Sequence, residues 1–447
     1  MASPKITVIG TGYLGATHAA AMAELGFDVL GLDISPEKIA TLERGEAPMY
    51  EPGLDELLRK HVAGHEGASG RLRFTTSYAE VGEFGDVHFI CVNTPQKHGE
   101  YACDMSYVDA AVESLAPHLT RPALVVGKST VPVGSADRLA ARLAELAPAG
   151  EEAELAWNPE FLREGFAVQD TLHPDRLVVG VRSERAEQLL REVYATPVAE
   201  GSPFIVTDFP TAELVKTSAN SFLATKISFI NAMAEVCEAA DGDVVKLAEA
   251  IGHDDRIGKK FLRAGIGFGG GCLPKDIRAF MARAGELGAS EALSFLREVD
   301  SINMRRRAQM VELTREAVGG SLLGKRVGVL GATFKPDSDD VRDSPALNVA
   351  GQLHLQGAQV TVYDPKGLEN ARAIFPTLGY ADSAIGAVRG ADVVLHLTEW
   401  REFKELDPAE LGEAVATRHV LDGRNTLDPA LWRKSGWTFR ALGRPTA

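Results

Sequence analysis

The sequence predicts an α/β protein with a doubly wound parallel sheet at each end of the chain and an all-helical segment between them. Three observations predict it. Short apolar runs alternate with helical patterns over about the first 200 residues. The same alternation restarts at Lys325. Between the two, from Ala212 to Ala240, Leu223, Ile227, Ile230 and Ala234 recur at helical spacing with no Pro or Gly, the mark of one long helix.

Taken in order, residues 5–33 read as strand, glycine turn, Ala-rich helix and strand (KITVIG, TGYLG, ATHAAAMAELG, FDVLGLD). The runs Val87 to Val92, Leu124 to Gly127 and Leu177 to Val181 continue a parallel sheet to about residue 200. The long helix follows, then a glycine-rich loop, then further helices to about Val318. KRVGVLG, AQVTVYD, ADVVLHLTE and HVLDGRN supply the second sheet. A chain of 447 residues exceeds one compact core, and the pattern divides it at 1–200, 201–318 and 319–447.

Hydrophobic residues are 45% and charged residues 24% of the chain, with a formal net charge of −15. The acidic balance argues against nucleic acid or an anionic membrane as a partner. Four cysteines without CxxC spacing point to a reducing, cytoplasmic setting with neither a disulfide framework nor a metal site. No apolar run is long enough to span a bilayer.

Gly10, Gly12 and Gly15 form GxGxxG between an apolar strand and a helix, the context of a Rossmann-like dinucleotide site. The glycines allow a tight turn and let a pyrophosphate approach the helix N-terminus. Asp33 ends the second strand, placed to bind ribose hydroxyls and to repel a 2′-phosphate, which favours NAD over NADP; FAD shares the fingerprint. Thr94 in Asn93-Thr94-Pro95 and Thr130 stand at strand ends, where ligands bind in such sheets. Gly127 to Thr130 (GKST) resembles the end of a phosphate-binding loop, but Pro122 occupies the place of that motif's first glycine, so no such loop is expected.

The stretch Gly265 to Asp276, GIGFGGGCLPKD, sets Cys272 among glycines just before a helix start, with Pro274 suited to the first helical position. A helix N-terminus and Lys275 both favour the thiolate. Asp276 is four residues further on, one turn behind the thiol. Lys216 and Asn220 share one face of the long helix. In NPEFLREG, Glu160 and Glu164 can serve as acid, base or water-holder, or equally as helix-start glutamates. Lys335, Asp340 and Arg342 open the second sheet, where cations suit phosphate or carboxylate groups.

GTGYLG, VNTP, STVPVG, NPEFLREG, ELVKTSANSFLATKISFIN and RIGKKFLRAGIGFGGGCLPKD followed by FKPDSDDVRDSP stand in order along the whole chain. The sequence thereby resembles the UDP-glucose/GDP-mannose dehydrogenase family, and most the UDP-glucose branch. The resemblance implies oxidation of a nucleotide-linked hexose at C6 to a carboxylate, with two NAD⁺ reduced. It implies capture of the aldehyde by Cys272 as a thiohemiacetal, a second oxidation to a thioester, and hydrolysis. Lys216 and Asn220 would stabilise oxyanions, Asp276 would handle water with Thr130, and Glu160 is a second acid/base candidate. The implied cofactor contacts are Gly10, Gly12, Tyr13, Leu14, Gly15, Asp33, Lys38, Thr94, Thr130, Glu164, Lys275 and Arg342. The implied substrate contacts are Glu160, Phe161, Leu162, Lys216, Asn220, Phe261, Leu262, Arg263, Gly265, Gly269, Lys335 and Arg424, with Arg256 reaching the substrate of a partner subunit in a homodimer built on the helical domain. The family usually has a serine before its cysteine, where this chain has Gly271, a change expected to loosen the loop. The alternatives are a sister enzyme acting on UDP-N-acetylmannosamine, UDP-N-acetylglucosamine or GDP-mannose, a one-step alcohol dehydrogenase with a structural cysteine, and a sensor that binds both ligands without turnover.

Overall fold

A computed structural model describes residues 3–64 and 67–445; the outermost residues of the expected end domains, and 65–66, lie outside them. The chain forms two compact units. The first holds the chain up to Ala219 together with Arg278–Leu287, and the second holds Asn220–Ile277 together with the chain from Gly288 onward.

The first unit is built on eight strands: β1 Ile6–Ile9, β2 Val29–Leu32, β3 Leu72–Thr75, β4 Val87–Ile90, β5 Ala123–Gly127, β6 Ala153–Trp157, β7 Leu177–Gly180 and β8 Phe204–Thr207. Their spatial order is β3-β2-β1-β4-β5-β6-β7-β8. β1, β4 and β5 are buried throughout, as expected of strands covered on both faces, and this is why they read as unbroken apolar runs. β1 pairs in parallel with β2 on one side and β4 on the other, so the strand order reverses there. The crevice outside the carboxyl ends of strands at such a reversal is where ligands bind in doubly wound sheets. Gly10, Thr94, Thr130 and Asn158 all lie in loops that leave these carboxyl ends.

Two expectations need correction. The sheet is not parallel throughout: β7 joins β6 through an antiparallel bridge, Trp157 opposite Gly180, and β8 then pairs in parallel with β7. An apolar run reads alike in either direction, so its pattern carries no polarity. The sheet also runs past residue 200, because β8 precedes the long helix Phe209–Ala240.

The second unit contains a six-stranded, wholly parallel sheet. Its strands are β9 Arg326–Leu330, β10 Gln359–Tyr363, β11 Gly379–Tyr380, β12 Val393–His396, β13 His419–Asp422 and β14 Thr438–Ala441, in the order β11-β10-β9-β12-β13-β14. Met310 of the helix Phe295–Ala317 and Leu347 of the helix Pro345–Leu355 bury against Val329, Val362 and Leu395 of the sheet. The long helix from Asn220 onward and the helix Val244–Gly252 pack through Ile230, Ala234 and Val244. The C-terminal segment is bonded to these helices: Gly443 N–H donates to Glu238 at 2.7 Å and its carbonyl accepts from Val244 N–H at 2.8 Å.

Candidate active site

In the first unit the three fingerprint glycines answer to three different demands. Gly10 has φ +88°, open space surrounds the place of a Cβ on Gly12, and a Cβ on Gly15 would stand 1.8 Å from the Gly10 carbonyl oxygen. Turn, open cradle and close helix packing are what a dinucleotide site needs. The helix Tyr13–Glu24 begins beside the cradle and turns its unbonded N–H groups toward it. Gly15→Ala forces backbone against backbone, and we expect it to lower unfolding stability by about 2–3 kcal/mol, as measured by urea denaturation.

Asp33 is 6% exposed. Its carboxylate accepts from Thr11 N–H at 3.0 Å, Thr11 Oγ1 at 3.2 Å, Ser35 N–H at 3.1 Å and Lys38 Nζ at 2.8 Å. Burial pushes its pKa up, but the bond from Lys38, the backbone donors and the Lys38 charge together outweigh it and hold the carboxyl below its ordinary value. Leu14 packs on the core. The Tyr13 hydroxyl donates to Glu51 and accepts from Gly165 N–H at 2.8 Å. Glu51, 5% exposed, also accepts from Gly165 and Ala167 N–H at 2.7 Å each, and so ties the glycine turn to the end of NPEFLREG beside Glu164.

NPEFLREG is a loop. The next helix is Ala167–Leu172, so neither Glu160 nor Glu164 starts one. Glu160 instead accepts from Leu162 N–H at 2.6 Å and pairs with Lys216 Nζ at 2.9 Å. Lys216 lies 5.8 Å and Arg176 3.9 Å from the Phe161 ring centroid. Thr94 is buried and Thr130 half-buried. The loop carrying Thr130 is held from behind by Glu213, whose oxygens accept from Gly134 and Ala136 N–H at 2.7 Å each and cap the helix Ser135–Leu146.

In the second unit Cys272 is exposed and immediately precedes the helix Leu273–Glu286. Pro274 is therefore the second helical residue, not the first. The Cys272 carbonyl accepts the first helical bond, from Asp276 N–H at 2.9 Å, which makes Cys272 the capping residue at the positive end of the helix dipole. The Asp276 side chain is 2% exposed. It accepts from Asn220 Nδ2 at 2.6 Å and Lys275 Nζ at 2.5 Å. Asp276 thus gathers Asn220 and Lys275 one turn after Cys272; spacing pairs Cys272 with Asp276, whereas the meeting with Asn220 comes from the fold.

The loop before Cys272 is an imprint of its neighbours. A Cβ on Gly269 would meet the Asp343 carbonyl at 2.3 Å, one on Gly270 the Phe334 ring at 2.8 Å, and one on Gly271 the Arg342 Cζ at 2.4 Å. Gly271 has no left-handed backbone. The Arg342 guanidinium occupies the place of its side chain, but Arg342 is flexible and 56% exposed and can shift to admit a small one, so neither backbone nor packing demands glycine here. Arg342 is held by Asp340 through bonds of 2.7–3.0 Å. Gly265 N–H donates to Asn231 Oδ1 at 2.9 Å. Phe268 is gripped by Asn303 through its N–H at 2.7 Å and its carbonyl at 3.0 Å, and that carbonyl also accepts from Arg307 at 3.0 Å.

Arg424 donates to the carbonyls of Leu397 at 2.8 Å, Gly267 at 2.9 Å and Phe334 at 3.2 Å. It staples three loops and is 11% exposed. Lys335 lies 5.5 Å from the Phe334 ring centroid. Leu262 is buried, while Phe261 is 40% exposed at φ 63°. Arg263 is exposed and pairs with Glu399 at 3.5 Å, and Arg256 is 88% exposed beside Asp254 at 2.6 Å.

Sequence reasoning misses Glu51, Glu213, Asn231, Asn303 and Arg307, as well as Lys128 and Asn158. Arg305 to Arg307 looks like a solvated charge run, yet Arg306 and Arg307 are at most 1% exposed and pair with Glu238 and Asp343 at 2.8 Å. A break in the helical period at Asn231 and Asn303, polar residues on apolar faces, is the one signal that can find the asparagines.

Family models match the chain in three consecutive stretches. They are the NAD binding domain of the UDP-glucose/GDP-mannose dehydrogenase family over residues 4–198, its central domain over 210–305 and its UDP binding domain over 328–429. A UDP-glucose 6-dehydrogenase of Rhizobium meliloti is 41% identical over 443 residues, 99% of this chain and 100% of that protein. One from Bacillus subtilis is 38% identical, with 98% of each chain covered. The solved structure of a UDP-glucose dehydrogenase from Pyrobaculum islandicum superimposes with a TM-score of 0.90 at 37% identity, covering 99% of this chain and 98% of that one. That of a UDP-D-ManNAc dehydrogenase from Pyrococcus horikoshii gives 0.86 at 29% identity, covering 99% and 100%. A dinucleotide cradle in one unit, a cysteine at a helix start in the other and three family models in unbroken order place this chain in the UDP-glucose/GDP-mannose dehydrogenase family.

Proposed function

We propose that this protein oxidises UDP-glucose to UDP-glucuronate, using two NAD⁺ per turnover. The observation that carries the chemistry is Cys272 at the start of a helix whose first turn holds Asp276, itself bonded to Asn220 and Lys275. It is supported by full-length relatives that are UDP-glucose 6-dehydrogenases.

Bound NAD supplies the hydride acceptor for both oxidations, held by the Gly10 to Gly15 turn and by Asp33. The C6 alcohol loses a hydride and a proton to give the aldehyde. The Cys272 thiolate adds to C6, and loss of a second hydride from this thiohemiacetal leaves a thioester. Water then adds to C6, the C–S bond breaks, and the uronate leaves as the thiolate is restored. Lys216 and Asn220 carry donors suited to the oxyanions of these steps, and the Asp276 carboxylate takes the proton from water. Thr130 assists that water, and Glu160 is the second acid/base group. Lys335, Gly265, Gly269 and the residues Phe261 to Arg263 belong to substrate binding, with Arg424 holding their loops together. Lys275, Arg342, Thr94, Lys38 and Glu164 belong to the cofactor.

The test is the NADH formed per UDP-glucose consumed, with GDP-mannose and UDP-N-acetylhexosamines run beside it. Two NADH per UDP-glucose is expected. One leaves an alcohol dehydrogenase, and turnover of another sugar alone moves the protein to a sister activity. Asp33→Ser removes the carboxylate but keeps Lys38 and the backbone donors of Thr11 and Ser35. We expect the KM for NAD to rise about ten- to hundredfold, the worth of one or two charge-assisted bonds, while use of NADP improves.

The working form is a homodimer. On the long helix Phe222, Phe229 and Val236 repeat at seven-residue spacing and are 66%, 49% and 57% exposed, an apolar stripe that suits a second copy of the chain. Phe222→Glu with Phe229→Glu is expected to give a monomer by sedimentation velocity. The division into three follows the family-model edges at 198, 210, 305 and 328, with the first boundary moved from 200 past β8, Phe204–Thr207. A cytoplasmic setting belongs to the same reading and rests on the low cysteine content, four in 447 residues. Among the described residues no helix is long and apolar enough to cross a membrane.

A further inference from the structure

Lys128 belongs to the GKST run that lacks the first glycine of a phosphate loop, and its side chain turns into the first unit. It is 6% exposed. Nζ donates to Asn158 Oδ1 at 2.9 Å and lies 3.3 Å from the Tyr194 hydroxyl, which donates to the same Oδ1 at 2.6 Å. The partners are uncharged, and two aromatic faces complete the setting, Phe89 at 5.7 Å and Tyr194 at 5.8 Å from Nζ to ring centroid. Asn158 in turn donates through Nδ2 to the Val178 carbonyl at 2.8 Å. One ammonium group therefore joins the ends of β5 and β6, and through Asn158 reaches β7 at the point where the sheet changes direction.

Burying an ammonium with no carboxylate bonded to it is unfavourable by several kcal/mol. Packing alone is better served by a methionine of similar size. What the charge achieves is position. Lys128 stands two residues before Thr130, and Asn158 two residues before Glu160, which holds Lys216 at 2.9 Å.

We propose that Lys128 is a positioning residue of the reaction: its ammonium, bonded to Asn158, locks the Thr130 and Glu160 loops together and so sets the Glu160–Lys216 pair. The inference rests on the roles proposed above for Thr130, Glu160 and Lys216. The groups that face Lys128 are Cys91 after β4, His18 on the helix Tyr13–Glu24, Tyr194 after the helix Glu184–Val193, and Glu160. Burial holds His18 neutral and pushes the Cys91 thiol up to about 12 and the Tyr194 hydroxyl up as well. Burial also pushes Lys128 itself down to about 8, while Cys91, Tyr194 and His18 do not titrate in that range. Above that pH the amine keeps its place but loses the charge-assisted part of its bond to Asn158.

The test is the pH profile of kcat for wild type, Lys128→Met and Asn158→Asp. Lys128→Met is expected to lower kcat about ten- to hundredfold, the effect of a slightly misplaced site, with the KM for NAD little changed. Wild type is expected to show an inflection near pH 8 that vanishes in Lys128→Met and moves up by about one unit or more in Asn158→Asp, where a carboxylate favours the ammonium. Asn158 Oδ1 keeps its Tyr194 donor in Lys128→Met, so that variant is expected to fold. Its stability gives a further readout. The folded pKa of Lys128 lies below the ordinary 10.5, so the unfolded chain binds more protons between about pH 8 and 10.5. Wild type therefore gains stability relative to Lys128→Met as pH rises through that window. An unchanged kcat with the inflection retained in Lys128→Met overturns the role of Lys128. One NADH per UDP-glucose in wild type overturns the reaction assignment instead.

Discussion

Cys272→Ser is expected to abolish UDP-glucuronate formation, with turnover lowered by at least about a thousandfold, or 4 kcal/mol of transition-state stabilisation. The reason is local. Cys272 occupies the capping position of the helix Leu273–Glu286, its carbonyl bonded to Asp276 N–H at 2.9 Å. A thiol at a helix N-terminus ionises readily, whereas a serine hydroxyl there stays protonated at neutral pH and becomes a good cap instead of a nucleophile. The side chain is exposed, so no core packing is lost and the thermal midpoint should stay within a few degrees of wild type. Uronate measured by chromatography, beside the NADH released in the first turnover, separates the two oxidations. Activity within tenfold of wild type would remove the covalent intermediate from the mechanism.

Lys216→Ala carries the second large effect, and it divides into stability and catalysis. The Lys216 and Glu160 side chains are 5% and 13% exposed and meet at 2.9 Å. Removing the ammonium strands a nearly buried carboxylate, which costs about 3–5 kcal/mol. The lost oxyanion donor is expected to lower kcat a further hundred- to thousandfold. The double variant Lys216→Met with Glu160→Leu, read beside Glu160→Leu alone, separates the two. Replacing a buried pair with apolar groups of similar size restores stability, while kcat stays low because no cation is left for O6. Recovery of kcat together with stability would reduce Lys216 to a structural ion pair.

The features legible in the sequence are those whose signal is local. Gly10, Gly12 and Gly15 are readable because backbone angles and absent side chains act within a single turn. The long helix is readable from its apolar period, and the Cys272 to Asp276 turn from its proline and its spacing. Each rests on covalent geometry over a few residues, and each appears in the structure to within three residues of its expected place, the long helix starting at Phe209 rather than at Ala212.

Other features depend on partners far along the chain. Lys128 is met by Asn158 and Tyr194, Tyr13 by Glu51 and Gly165, and the glycines before Cys272 by Phe334, Arg342 and Asp343. A lysine after a strand has the same composition whether it faces phosphate or core, and Arg306 and Arg307 have that of a surface run. The strand run Leu177 to Gly180 looks the same parallel or antiparallel.

The sequence by itself therefore determined the two α/β ends, the helical middle, the dinucleotide turn and the cysteine at its helix start, because these are written in periodicity and backbone chemistry. Only the tertiary structure decided which polar groups are buried together, which way β7 runs and that Gly269 lies against the Asp343 carbonyl. Those outcomes are set by which distant segments pack against each other, and desolvation, not local propensity, then selects the partners.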